Sequence, residues 1–143
     1  MNYWLFKSEP DAWSWDEQKK EGARGAEWDG VRNYQARNFM RAMGKGDLGF
    51  FYHSGDERRI LGVVKVVAEA HPDSTDGTGN WDCVDVAAVL DVPRAVALAE
   101  IKADPGLKDM VLVKNSRLSV QPVTAAEWRK LCATGGLSKT PTS

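Results

Sequence analysis

Two clusters of residues in this chain have the side chains to recognise a flat, polar, anionic ligand. The first is WDGVRNYQARNFMRAMGKGD, from Trp28 to Asp47, which sets an aromatic ring, an Arg32-Asn33 pair and a run of basic residues side by side. Arg37, Arg41 and Lys45 recur every fourth residue, so they stack on one helical face, and no Asp or Glu falls between Arg32 and Lys45. An uncompensated face of this kind favours phosphates of a nucleic-acid backbone. The same pattern also fits an ordinary solvated helix face or a surface that docks another protein. The second cluster is Lys7, Ser8 and Glu9, ahead of Pro10. A lysine can meet a phosphate, a serine hydroxyl can donate or accept, and a carboxylate can accept from the amino group of cytosine.

A base-binding pocket also needs a flat surface for stacking, worth about 1–3 kcal/mol per base. Trp28 precedes the turn signal Asp29-Gly30, which suits an indole at a pocket rim; with six tryptophans in the chain, a core position is the competing role. Trp81 follows a Gly-rich loop and is either a second stacking face or a core residue at a strand start. Asn33 can read a base edge or cap the following helix, and one side-chain oxygen does not readily do both, so the cap is favoured. In the segment Phe51 to Ser54, alternation puts Phe51 and His53 on one face and Tyr52 and Ser54 on the other, with Tyr52, His53 and Ser54 nearest the strand end where ligands enter.

Catalytic chemistry is less well supported. Three consecutive extended residues, Lys7, Ser8 and Glu9, alternate faces and so should not converge as acid, base and nucleophile; a His53–Ser54 dyad fails for the same reason. His53 and His71 lack a partner at metal-ligand spacing, and there is no GxGxxG or Walker lysine motif, so neither a metal nor a cofactor is implied.

The elements that must position these groups follow from patterning. With 143 residues, 43% of them hydrophobic, the chain suits one domain with a sizeable core. Tyr3 to Phe6 reads as a strand, and Ser14 with Glu17 as a capping box for a helix through Lys20. Asn33 starts, and Gly44 stops, a helix whose Ala36, Phe39, Met40 and Met43 form a core-facing stripe. Leu48 to His53 and Ile60 to Ala68 predict a hairpin across SGDERR, and Cys83 to Leu90 a further strand. Leu98 to Ala103 reads as a helix, Met110 to Val113 and Leu118 to Gln121 as strands. Thr124 with Glu127 caps a last helix through Leu131, leaving residues 135–143 as a flexible tail after a domain spanning 1–134.

Net charge is −1, which disfavours coating a duplex. Six acids and no Lys or Arg lie between Val66 and Pro93, which predicts an acidic side opposite the basic helix. Cys83 and Cys132 read as buried reduced thiols. With no bilayer-spanning run and no signal-peptide pattern, a cytoplasmic monomer without membrane contact is expected. Short strands interrupted by small helices predict an α+β fold, a compact β-barrel with helices covering its ends.

WLFKSEP at Trp4 to Pro10, WDGVRNYQARNFMRAM at Trp28 to Met43, GDLGFFYHSG at Gly46 to Gly55 and PGLKDMVLVKNSRLSVQPV at Pro105 to Val123 together closely resemble the EVE domain family. The resemblance implies a barrel of the PUA-like superfamily, related to YTH domains that read methylated adenine in RNA and SRA domains that read methylated cytosine in DNA. It implies a binding module for a modified base, with modified cytosine in DNA favoured and modified RNA the alternative. The matching YTH segment begins with the same Lys-Ser pair and has a tryptophan comparable to Trp28, whereas Glu9 has no counterpart there. The superfamily also contains amidohydrolases of modified pyrimidine nucleosides, which makes Lys7, Ser8 and Glu9 the residues of a competing enzymatic reading.

Overall fold

A computed structural model describes residues 2–142. Its scaffold is one mixed six-stranded sheet in the order β2-β5-β4-β3-β1-β6. The strands are β1 (Tyr3–Ser8), β2 (Ala26–Glu27), β3 (Leu48–His53), β4 (Arg59–Pro72), β5 (Asp82–Ala97) and β6 (Val120–Val123). Only β1 and β3 pair in parallel; the expected β3–β4 hairpin forms, and β4 and β5 make a second, longer one. The helices are α1 (Trp15–Lys20), α2 (Tyr34–Ala42), α3 (Leu98–Ala103), α4 (Val111–Lys114) and α5 (Ala125–Thr134), with a 3-10 turn at Gly22–Arg24.

Both capping boxes form. Ser14 Oγ accepts from Glu17 N while Glu17 Oε1 accepts from Ser14 N, each at 3.1 Å, and Thr124 and Glu127 do the same at 3.2 and 2.9 Å. These bonds satisfy amide groups that a helix start leaves unpaired. Two expectations fail. Residues 111–114 are helical rather than extended, and β6 begins two residues later than predicted. A four-residue apolar run has no period long enough to separate strand from helix.

Every residue of β3 is buried, because both faces of the sheet are covered. On one face Phe6, Phe51, Val64, Val86 and Val120 pack with Ala36 and Met40 of α2 and with Met43 at its C-cap, the predicted stripe, while Phe39 lies partly buried against Trp4. On the other face Leu5, Phe50, Tyr52 and Val63 pack with Ile101, Leu112, Trp128 and Leu131 from α3, α4 and α5. Close approach demands a glycine at two points. A side-chain carbon at Gly62 would collide with the Trp15 ring, and one at Gly49 would lie 2.6 Å from Phe6.

The fold is α+β, but hydrogen bonds do not close the barrel. β2 and β6 are the two edges, with no ladder joining them. Register shifts along β4 at Ile60/Gly62, Val63/Val64, Val66/Ala68 and Ala68/His71 increase local twist, and the sheet curls around α2. Curling brings the two edges toward each other, and the space between them becomes the site.

Candidate functional site

A cavity of about 590 Å³ lies between the sheet edges. One wall comes from the β2 side through Ala26, Glu27, Trp28, Asp29 and Arg32; the other comes from the end of β1 and the approach to β6, through Lys7, Ser8, Glu9 and Ser119. Trp13 and Glu21, which flank α1, also line it.

Lys7, Ser8 and Glu9 all border the cavity, but Lys7 Nζ also lies 5.8 Å from the ring of Tyr52, a residue of the opposite face, in keeping with alternation along β1. β1 ends at Ser8, so Glu9 has left the strand, and its carbonyl accepts from Ala12 N and Trp13 N at 3.0 Å each. That turn brings Trp13 back into the cavity. Lys7 Nζ donates to Ser116 O at 2.6 Å, and partial burial lowers its pKa from the usual lysine value. The Ser8 hydroxyl donates to Glu9 O at 3.3 Å.

Trp28 is both wall and core. It is 6% exposed, and its ring stands edge-on to Phe6 at 5.2 Å and to Phe51 at 5.6 Å, fixed by its backbone N–H donating to Val84 O at 2.8 Å. Trp13 is half-buried, its indole N–H donating at 2.9 Å to Gln18 Oε1, and Gln18 in turn donates to Val86 O. The sequence reading passed over Trp13; its one signal was an aromatic placed immediately before a capping box.

The remaining wall is organised by Asp73, which is 2% exposed. One carboxylate oxygen accepts from Gly30 N at 2.9 Å and Arg32 Nη1 at 3.2 Å; the other accepts from Thr75 N and Thr75 Oγ1 at 2.8 and 2.6 Å. Burial pushes this carboxyl up, but the hydrogen bonds from Thr75, Gly30 and Arg32 outweigh it and hold the pKa at about 2. Gly30 takes a φ of +77°, the left-handed turn that the Asp29-Gly30 pair predicted. Asp29 is shifted the other way: burial first, then the Asp73 and Glu27 charges, raise its pKa. Glu27 is lowered, chiefly by the Ser74 hydroxyl at 2.8 Å. The cavity thus presents carboxylates at Glu9, Glu21, Glu27 and Asp29 and cations at Lys7 and Arg32 around two indoles. Such a lining can hydrogen-bond a ring that carries an amino group and can neutralise an attached phosphate.

The other residues singled out for the pocket lie outside this lining. Asn33 is the N-cap of α2, its Oδ1 accepting from Ala36 N at 2.9 Å. Tyr52 is buried on the opposite face of the sheet. His53 Nε2 accepts from Trp15 N at 3.0 Å, so Nδ1 carries the proton shared with Glu57 at 2.9 Å. Ser54 N donates to Ser8 O, extending the β1–β3 pairing. Trp81 stacks on Tyr34 at 4.8 Å, neither in the core nor in the cavity.

The basic face also differs from expectation. Arg41 Nε donates to Asp82 at 2.7 Å, and Lys45 N donates to Glu69 at 3.2 Å, so the acidic segment folds back over the basic helix rather than opposite it. Separation along the chain gave no warning of this, because the β4–β5 hairpin returns residues 69–82 to α2. Among the described residues no carboxylate pairs with Arg37, whose guanidinium donates to Asn80 O and Asn38 Oδ1.

A family match covers residues 2–134 and is described as the EVE domain. The chain belongs to the EVE domain family. This EVE domain superposes on the crystal structure of a protein from Agrobacterium tumefaciens with a TM-score of 0.95 at 55% identity, covering 99% of this chain and 100% of that one. It superposes on human THYN1 protein, solved in complex with DNA containing 5-methylcytosine, with a TM-score of 0.88 at 37% identity, covering 99% and 100%. The YTH domain of Zygosaccharomyces rouxii MRB1 protein, solved with N6-methyladenosine RNA, shares the fold at a TM-score of 0.58 and 18% identity over 97% of this chain and 89% of that one. The fold is thus PUA-like, as the motifs implied. Among the described residues no helix is long and apolar enough to cross a membrane.

Proposed function

We propose that this EVE domain is a reader of modified bases, taking a single modified base, with modified cytosine in DNA favoured over modified RNA, into the cavity between its sheet edges. The observation that carries the reading is the joint lining of one cavity by Trp13 and Trp28 with Asp29, Glu27, Lys7 and Arg32. The indoles supply apolar surface for the ring, and the carboxylates supply acceptors for an exocyclic amino group, which cytosine has and thymine lacks. The 5-methylcytosine DNA found with human THYN1 supports cytosine as the ligand class. Asp29 and Arg32 are the edge-reading pair we assign, and Lys7 the group that meets a phosphate.

Binding rather than turnover fits the polar contacts. The Ser8 hydroxyl donates to a backbone carbonyl, and one Lys7 ammonium N–H to Ser116 O, so neither is paired with a base that would activate a nucleophile. The test is equilibrium binding to oligonucleotides carrying modified or unmodified cytosine and adenine, single-stranded and duplex, at fixed salt, with chromatography of the same mixtures. Preferential binding of a modified base without product is the expected result. Equal affinity for modified and unmodified strands overturns the reading, and release of product that is lost in Glu9→Gln replaces it with an amidohydrolase.

A further inference from the structure

Beside the cavity stands a second aromatic feature that the proposed reader does not use. Tyr34, the first residue of α2, stacks on Trp81 from the loop before β5, ring centroids 4.8 Å apart and planes 25° from parallel. Tyr34 is 64% exposed, unusual for a large aromatic in a chain whose other rings mostly build the core. The Arg37 guanidinium lies 4.8 Å from the Tyr34 centroid and 5.6 Å from that of Trp81. Arg37 therefore lies within cation–π distance of both rings, while the high exposure of Tyr34 leaves much of its surface open to solvent.

We propose that the outer face of Tyr34 is a second stacking step, receiving an unmodified base next to the one held in the cavity, with Arg37 on the intervening phosphate. This rests on the reader function proposed above. Three observations favour a nucleic-acid strand as the occupant. The platform adjoins the cavity through Arg32, which lines the cavity and also lies 5.4 Å from the Trp81 ring. Arg37 keeps its charge available, since its partners Asn38 and Asn80 are neutral, whereas Arg32 and Arg41 are paired with Asp73 and Asp82. An exposed ring with a cation beside it matches the alternation of base and phosphate along a strand, and stacking of this kind tolerates any base. The ring's orientation is fixed in advance by Trp81, so little side-chain freedom is lost on binding.

The experiment compares the native chain with Tyr34→Ala and Tyr34→Phe. The ligands are free 5-methyl-2′-deoxycytidine, which reaches only the cavity, and a short single-stranded oligonucleotide with one central 5-methylcytosine. Tyr34→Ala is expected to weaken the oligonucleotide by about tenfold or more in Kd, leave the nucleoside unchanged, and be rescued by Tyr34→Phe. A 2-aminopurine placed next to the modified base should be quenched by the native chain and not by Tyr34→Ala. Unchanged oligonucleotide affinity in Tyr34→Ala, or equal loss for nucleoside and oligonucleotide, overturns the platform. If oligonucleotides bind without preference for the modification yet weaken in Tyr34→Ala, the platform stands and the cavity reading falls. If modified strands are preferred and Tyr34→Ala matches the native chain, the cavity reading stands alone. If no strand binds the native chain, both are overturned.

Discussion

Asp73 and Arg32, forty-one residues apart in sequence, are joined at 3.2 Å through Asp73 Oδ2, which also accepts from Gly30 N. One buried carboxylate thus fixes both the turn after Trp28 and the cation at the cavity wall. Its pKa of about 2 lies below the ordinary 3.8, so it contributes stability that is complete above pH 4 and is lost as pH falls toward 2. The contribution is on the order of 2 kcal/mol. Thermal midpoints measured from pH 5 to pH 2 should fall less steeply for Asp73→Asn than for the native chain, and the variant should already bind modified oligonucleotides more weakly at pH 7.

Asp29 should show the opposite sign. Its pKa is raised in the folded protein by burial and by Asp73 and Glu27, so its effect on stability is least harmful below the unfolded value of 3.8 and grows as pH rises through the folded one. Asp29→Asn is expected to raise the melting temperature at pH 7, with the gain vanishing near pH 3. The same substitution should reduce preference for cytosine over thymine derivatives. A gain in stability joined to a loss of recognition is the signature of a group kept for binding.

The two indoles should separate in mutagenesis. Trp13→Ala removes a half-buried ring and should cost about 1–3 kcal/mol of binding with the fold intact, as judged by circular dichroism and melting. Trp28→Ala removes a ring packed on Phe6 and Phe51 and should destabilise the protein by about 3–5 kcal/mol, so loss of binding there reports on packing as much as on stacking.

Salt dependence should distinguish the arginines of α2. Arg37→Ala should flatten the slope of log affinity against log salt by about one unit, because an unpaired charge releases a counterion when it meets a phosphate. Arg41→Ala should change the slope less, since Asp82 already compensates that charge. Equal slopes for the two variants would mean that the Arg41–Asp82 pair opens on binding.

Local chemistry was the part of this molecule most legible in its sequence. Capping boxes at Ser14 and Thr124, the Asn33 cap and the stripe through Ala36, Met40 and Met43 each depend on residues within eight positions, and each formed. Lys7, Ser8 and Glu9 and the segment Trp28 to Gly30 both line the cavity, as their residue types suggested. What stayed hidden was long-range. The pairing of Arg41 with Asp82 needs the β4–β5 hairpin to fold back, and the burial of Tyr52 and His53 needs helices on both faces of the sheet. Alternation along β3 separates two faces but cannot say that both are interior. Trp13 enters the cavity only because Glu9 leaves its strand, which a residue count along β1 does not reveal.

The open seam between β2 and β6 makes aperture a property of strand curvature. The walls belong to opposite ends of one continuous ladder, so their separation is set by the irregularities along β4 between Ile60 and His71, none of which lines the cavity. Gly62, pressed under Trp15 at one of those irregularities, is such a control point. A substitution there would alter which ring fits between the walls while leaving every group that touches the ligand in place. Under the proposed reader function, discrimination among base modifications of different size would then turn on residues outside the lining.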